Sequence, residues 1–172
     1  MAFLIAAAAL FTLGNSSDEW ETITPEQGGF SVKIPANSTL TRKKVNGEDG
    51  SSEVVIVQAG EARLAYLVTY VDVSATTARM PRSLLDGTRD VAVSSSKGKL
   101  LSEKKILLKK YPGREIRAEV PLGDDPKGGF LKCRIYLVGR RVFQVMAIGP
   151  KDEANAKEID KFFGSFQIIS SK

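Results

Sequence analysis

The chain has 172 residues, 42% of them hydrophobic and 26% charged, with one cysteine, no histidine and a formal net charge of +5. Such a length suits one domain with a core large enough to stand alone, and a lone cysteine excludes an internal disulfide. The missing histidine removes the commonest general base and metal ligand near neutral pH, while an isoelectric point near 9.3 favours anionic partners without specifying one.

Ala2 to Leu13 are apolar except for Thr12, and the polar stretch Gly14 to Glu19 follows. The run is shorter than the ~20 residues that cross a hydrocarbon core, so it reads as the apolar part of a signal peptide followed by its cleavage zone. This divides the chain into a signal segment at 1–17 and a single domain at 18–172 that is secreted or periplasmic. The alternative is a buried N-terminal helix of an intracellular domain.

In Gly28 to Pro35, Phe30, Val32 and Ile34 alternate with Ser31 and Lys33, which is the period of a half-buried strand. Leu40 to Val45 predicts a short second strand before the turn-forming Asn46-Gly47-Glu48-Asp49-Gly50. Glu53 to Gln58 and Arg63 to Val73 flank Ala59-Gly60-Glu61-Ala62 and read as a hairpin. Pro81 to Ser95 reads as a helix, because Pro suits the first helical position and Leu84, Leu85, Thr88, Val91 and Ala92 share a face; Gly87 interrupts it.

Leu100 to Lys110 and Arg114 to Val120 are strand-like and meet at Tyr111-Pro112-Gly113-Arg114, which suits a type II turn. Gly123 to Gly129 reads as a loop. Phe130 to Val138 and Arg141 to Ile148 then form a hairpin across Gly139-Arg140. Asp152 is placed to cap a last helix with Ile159, Phe162, Phe163 and Phe166 on one face, and Ser165 to Ile169 closes the chain as a strand. With every strand-to-strand link short, the fold class is α+β, a mainly antiparallel sheet with helices packed on it.

Trp20, Gly28-Gly29-Phe30-Ser31-Val32 and Pro35, the central Tyr111-Pro112-Gly113-Arg114-Glu115, Arg134-Ile135-Tyr136-Leu137-Val138 before Phe143-Gln144-Val145, and the closing Phe162-Phe163-Gly164-Ser165-Phe166 form one pattern. It resembles the exported, uncharacterised bacterial domains related to the PsbP-like superfamily, over Trp20 to Ile169. The resemblance implies an antiparallel sheet between helices, an α/β/α sandwich. It does not extend to the cofactor retention of the superfamily's extrinsic photosystem II protein, which depends on histidines absent from this chain. No motif carries over the partner binding of the Ran-binding eukaryotic relatives.

Ser94-Ser95-Ser96-Lys97 matches S-x-x-K, but without its companion elements it reads as a polar helix end. Asp124 with Asp125, and Glu48 with Asp49, lack the ligand spacing of a calcium loop and read as turns. There is no phosphate cradle and no Cys or His cluster, so no cofactor or metal is expected. Cys133 alternates with Leu131, Ile135 and Leu137 and is assigned to the core. Lys97, Lys99, Lys104, Lys105, Lys109 and Lys110, opposed by Glu103, blunt an edge strand, or alternatively attract phosphates or anionic lipid.

Phe130, Lys132, Arg134 and Tyr136 share the strand face opposite the Cys133 side, and Arg117 points the same way if its hairpin lies alongside. Aromatic and basic residues together suit an acidic or planar group, so Arg117, Lys132, Arg134 and Tyr136 form the candidate partner-binding set, read as exposed. The alternative is an outer face whose long side chains cover apolar surface beneath a helix. The functional reading is a non-catalytic exported binding or accessory domain. Its partner is an unknown protein or anionic ligand. The chain is expected to be a monomer, with no specific nucleic-acid recognition and at most weak contact with a membrane surface. The alternatives are a small hydrolase using lysine or carboxylate chemistry and an electrostatic adsorber to anionic polymer or membrane.

Overall fold

The computed structural model describes residues 19–169 apart from 48, 49, 62 and 124. The signal segment at 1–17 lies outside the described residues. Among those described, no helix is long and apolar enough to cross a membrane.

The chain runs through β1 (Trp20–Ile23), β2 (Phe30–Pro35), β3 (Thr39–Gly47), β4 (Gly50–Glu61) and β5 (Leu64–Asp72), then α1 (Ala75–Ala78) and α2 (Pro81–Ser95). β6 (Lys99–Leu108), β7 (Tyr111–Leu122), β8 (Asp125–Val138) and β9 (Arg141–Pro150) follow, and after a 3-10 turn at Lys151–Glu153 come α3 (Lys157–Ser165) and β10 (Gln167–Ile168). Seven strands form one sheet in the order β3-β4-β5-β9-β8-β7-β6, with β1, β2 and β10 in a smaller one. Neighbours in both sheets are antiparallel. The pairing of β5 with β9 joins two meanders, because the chain leaves β5 through α2 and re-enters at the far edge as β6.

Strand alternation sends side chains to two cores. Leu67, Val71, Ile116, Leu131, Cys133, Ile135, Val142 and Met146 face α2, which contributes Leu85 and Ala92. The opposite face carries Tyr66, Tyr70, Phe143 and Val145 against Phe30, Val32 and Ile34 of the small sheet and Ile159, Phe162 and Phe163 of α3. Phe166 joins these rings, tilted against Phe30 and stacked on Tyr136. The architecture is therefore more sheet-dominated than a balanced sandwich, with a second small sheet sharing one side with α3.

The predicted helix at Pro81–Ser95 and the hairpin across Gly139-Arg140 are present with those bounds or nearly so. Three expectations are corrected. Tyr111-Pro112-Gly113-Arg114 is not a turn: Leu108 pairs with Tyr111, so the chain reverses at Lys109 and Lys110, with Lys109 at φ 56. Gly113 instead answers a close approach, since a Cβ there would lie 2.4 Å from the Ile135 carbonyl oxygen and 2.6 Å from the Tyr136 ring. The expected loop at Gly123 to Gly129 is mostly strand, because Leu122 pairs with Asp125 across a tight reversal. Asp152 does not cap the last helix; it accepts from Arg63 at 3.0 Å, and α3 begins after Ala156 with no side-chain cap.

Two short elements were not foreseen from the sequence. β1 pairs with β2, and its Trp20 donates to Glu61 at 3.1 Å while Lys161 sits 4.1 Å over the ring. In α1, Ser74 accepts from the Thr77 amide as an N-cap.

Candidate functional site

β7 and β8 are adjacent, so the four candidate partner residues do come together: Arg117 pairs in register with Lys132, and Glu115 with Arg134. Their expected exposure is corrected for three of them. Tyr136 is 4% exposed and stacked on Phe166, and Lys132 is 8% exposed, bonded to Asp160 of α3 at 3.2 Å. Arg134 donates to Glu115 at 2.6 Å and lies 5.0 Å over the Phe163 ring. The helix-covered reading describes this stretch, because α3 lies across it. Arg117 keeps an exposed head with no hydrogen-bond or ion-pair partner among the described residues.

Glu115 is buried and receives Lys104 of β6 at 2.8 Å as well as Arg134. Burial alone would raise its pKa, but the hydrogen bonds from Lys104 and Arg134 outweigh that and hold it below the ordinary value. A general base for chemistry near neutral pH needs the opposite shift, so Glu115 serves as the centre of a ladder across β6, β7 and β8. On the other face, Arg114 binds Asp86 of α2 at 3.0 Å and Glu103 of β6 at 2.9 Å, and Arg89 reaches the same Glu103 at 2.7 Å. That network fastens α2 to the lysine-rich edge strand.

The remaining described candidates take structural roles, while Glu48, Asp49 and Asp124 lie outside the described residues. Cys133 is fully buried, and burial pushes its thiol pKa up, which removes it as a nucleophile at neutral pH. Ser94 donates to the Val91 carbonyl, while the Lys97 amide caps the Ser94 carbonyl, so the S-x-x-K match is a helix end. Asp125 accepts from the Lys127 amide, and no group of three or more His, Cys, Asp or Glu among the described residues could hold a metal ion. β6 is an edge strand, as the lysine run suggests.

A polar basin of about 420 Å³ lies where the β8–β9 turn meets the ends of β3, β4 and β5, lined by Arg42, Glu53, Tyr70, Asp72, Arg140 and Arg141. Arg141 is fully engaged. Its Nε and Nη2 each reach a different Asp72 oxygen at 2.7 Å, and Nη1 donates to the carbonyls of Gln27 and Gly28 at 2.6 and 2.9 Å. The hydrogen bond with Asp72 raises its pKa, and Gln27, whose carbonyl it holds, stands at φ 61, a conformation that a residue with a side chain seldom adopts. Arg42 neutralises Glu53 at 3.3 Å.

Arg140 differs. Its Nε donates to the Val73 carbonyl at 3.0 Å, and no acid pairs with it among the described residues. Tyr70 also lines the basin, and its hydroxyl is buried without a hydrogen-bond partner among the described residues.

No family model matches this chain, and no curated protein matches it in sequence. Its fold is matched by the solution structure of cyanobacterial PsbP (CyanoP) from Synechocystis sp. PCC 6803, with a TM-score of 0.56 and 10% identity over 91% of this chain and 95% of that one. The chain has the PsbP-like fold. A crystal structure from Bacteroides thetaiotaomicron matches with a TM-score of 0.52 and 11% identity over 87% of this chain, which spans 48% of that protein's length. At such identities the likeness speaks for fold, and function must be argued from the site.

Within the PsbP-like fold of this chain, the basin residues escaped the sequence reading. Gly139-Arg140-Arg141 reads as a plain hairpin tip, and two consecutive arginines there were the available signal. Tyr70 belongs to an apolar strand run, and nothing local marks its hydroxyl as unpaired.

Proposed function

We propose that this is a non-catalytic, exported binding or accessory domain that captures an oxyanion, a carboxylate or phosphate of its ligand or partner, in the basin at Arg140. The observation that carries the reading is the pairing of an uncompensated guanidinium with a buried, unpartnered Tyr70 hydroxyl in one cleft. A guanidinium fork suits carboxylate and phosphate geometry, and its charge-assisted hydrogen bonds are about twice as strong as neutral ones. Ser51 and Ser52 line the same basin and add hydroxyl donors. Asp72 and Glu53 are already matched by Arg141 and Arg42, which leaves Arg140 as the surplus positive charge.

Arg117 offers an acidic protein partner a second exposed cation, with Lys132, Arg134 and Tyr136 forming the packed floor beneath it. Export rests on the apolar run Ala2 to Leu13. Calorimetric titration of the full chain with inorganic phosphate and with citrate tests the basin. Arg140→Ser is expected to weaken binding about tenfold or more, the worth of a charged hydrogen bond. Equal affinity of the variant and the unaltered protein would place the anion elsewhere.

A further inference from the structure

Beneath α2, a cavity of about 170 Å³ is lined by Val71, Leu84 and Val142 on its apolar side and by Thr88, Gly87 and Gln144 elsewhere. It shares only Val73 with the anion basin. Gln144 of β9 and Thr69 of β5 face each other in register on the sheet side that packs against α2. Both are buried, at 3% and 1% exposure, among Leu67, Val71, Val142 and Met146.

Neither has a side-chain partner. Thr69 Oγ1 is buried with no hydrogen bond, and among the described residues no protein group bonds the Gln144 amide. Of the other hydroxyls of the wall, Thr88 donates to the Leu84 carbonyl at 2.8 Å and Thr77 shares a hydrogen bond with Ser74, while Ser83 has no side-chain hydrogen bond among the described residues. An unpaired buried polar group costs about 1–3 kcal/mol, which Thr69 carries; the Gln144 amide lines the cavity without a protein partner, so it is free to bond a group from outside the chain.

Gly87 supplies the second observation. It stands in the middle of α2, where glycine costs about 1 kcal/mol relative to alanine. No close approach requires it, since an added Cβ would meet nothing within 4 Å. What the missing side chain leaves is the space of the cavity that Gly87 lines.

We infer that the cavity under α2 is a binding site for a small neutral molecule, a single ring carrying a carboxamide or cyclic-amide edge. The Gln144 amide offers one donor and one acceptor side by side, which such an edge complements. The ring lies against Val71, Leu84 and Val142, and an apolar cavity of roughly 150 Å³ holds one benzene-sized ring. The described lining carries no charged side chain, so an ionised ligand would be buried unpaired.

The test is an NMR titration of the full chain with benzamide, and with benzoate as the charged counterpart. Benzamide is expected to shift the Gln144 side-chain amide saturably, with benzoate at least about tenfold weaker. Gln144→Leu is expected to abolish benzamide binding while the protein stays folded. Gly87→Leu is expected to fill the cavity, abolish binding and raise the melting temperature. No shift with benzamide, equal binding of benzoate, or unchanged binding by the folded Gly87→Leu or Gln144→Leu proteins would overturn the site.

Discussion

Arg141 and Asp72 face each other across β9 and β5 and close a two-pronged ion pair, each contact 2.7 Å long, with the guanidinium 4.5 Å over the Tyr70 ring. The pair both braces the loop before β2, through the Gln27 and Gly28 carbonyls, and cancels one charge of the basin. Asp72→Asn separates these two effects. The variant is expected to lose about 1 kcal/mol in urea unfolding, the upper end for a partly exposed pair. Phosphate affinity is expected to rise about threefold or more, because Arg141 becomes a second uncompensated cation. A fall in both quantities would mean that Asp72 shapes the site rather than neutralising it.

The ladder through Glu115 makes a pH prediction. A carboxylate whose pKa is lower in the folded protein binds fewer protons there than in the unfolded chain. Its contribution is therefore complete above the unfolded glutamate value of about 4.3 and is lost as pH falls through the lower folded value. The melting temperature of Glu115→Gln is expected below that of the unaltered protein at pH 7, with the gap closing as pH drops below about 4. Thermal melts from neutral to acid pH check it; a gap independent of pH would show that charge is not what the ladder supplies.

Arg117 and Arg134 separate surface from structure on neighbouring strands. Arg134→Glu places a second carboxylate against buried Glu115 and strips the cover of Phe163, and is expected to cost about 3 kcal/mol. Arg117→Ser removes an exposed, unpaired head and is expected to stay within about 0.5 kcal/mol. Equilibrium unfolding of both proteins decides, and a comparable loss for Arg117→Ser would bring it into the packed face.

The contrast between those arginines also shows what sequence carries. Alternation along Phe130, Lys132, Arg134 and Tyr136 gave their shared face correctly, but period alone does not say what covers a face. Asp160, which covers Lys132, comes 28 residues later. Pro81 and the spacing of Leu84, Leu85 and Ala92 made α2 legible, because capping and amphipathicity are local. Tyr111-Pro112-Gly113 misled for the converse reason: in isolation those residues suit a turn, whereas crowding by Ile135 and Tyr136 on the next strand is what calls for glycine. The basin was illegible because Arg42, Tyr70 and Arg140 come from three separate stretches, brought together only by the successive pairings of β3 with β4, β4 with β5 and β5 with β9.

Export is tested on material recovered from outside the cytoplasm of an expressing cell. Intact-mass analysis is expected to show a mature chain beginning between Gly14 and Trp20, where the apolar run gives way to polar residues. Retention of Met1 in that material would contradict the signal-peptide reading.

The anion basin is tested most directly by following arginine side-chain and backbone resonances while inorganic phosphate is added. Saturable shifts of the Arg140 Nε–H signal and of the Ser51 and Ser52 amides are expected, sharing one dissociation constant and absent from Arg140→Ser. Shifts confined to the edge-strand lysines Lys99, Lys104 and Lys105, or a response that survives in Arg140→Ser, would contradict it.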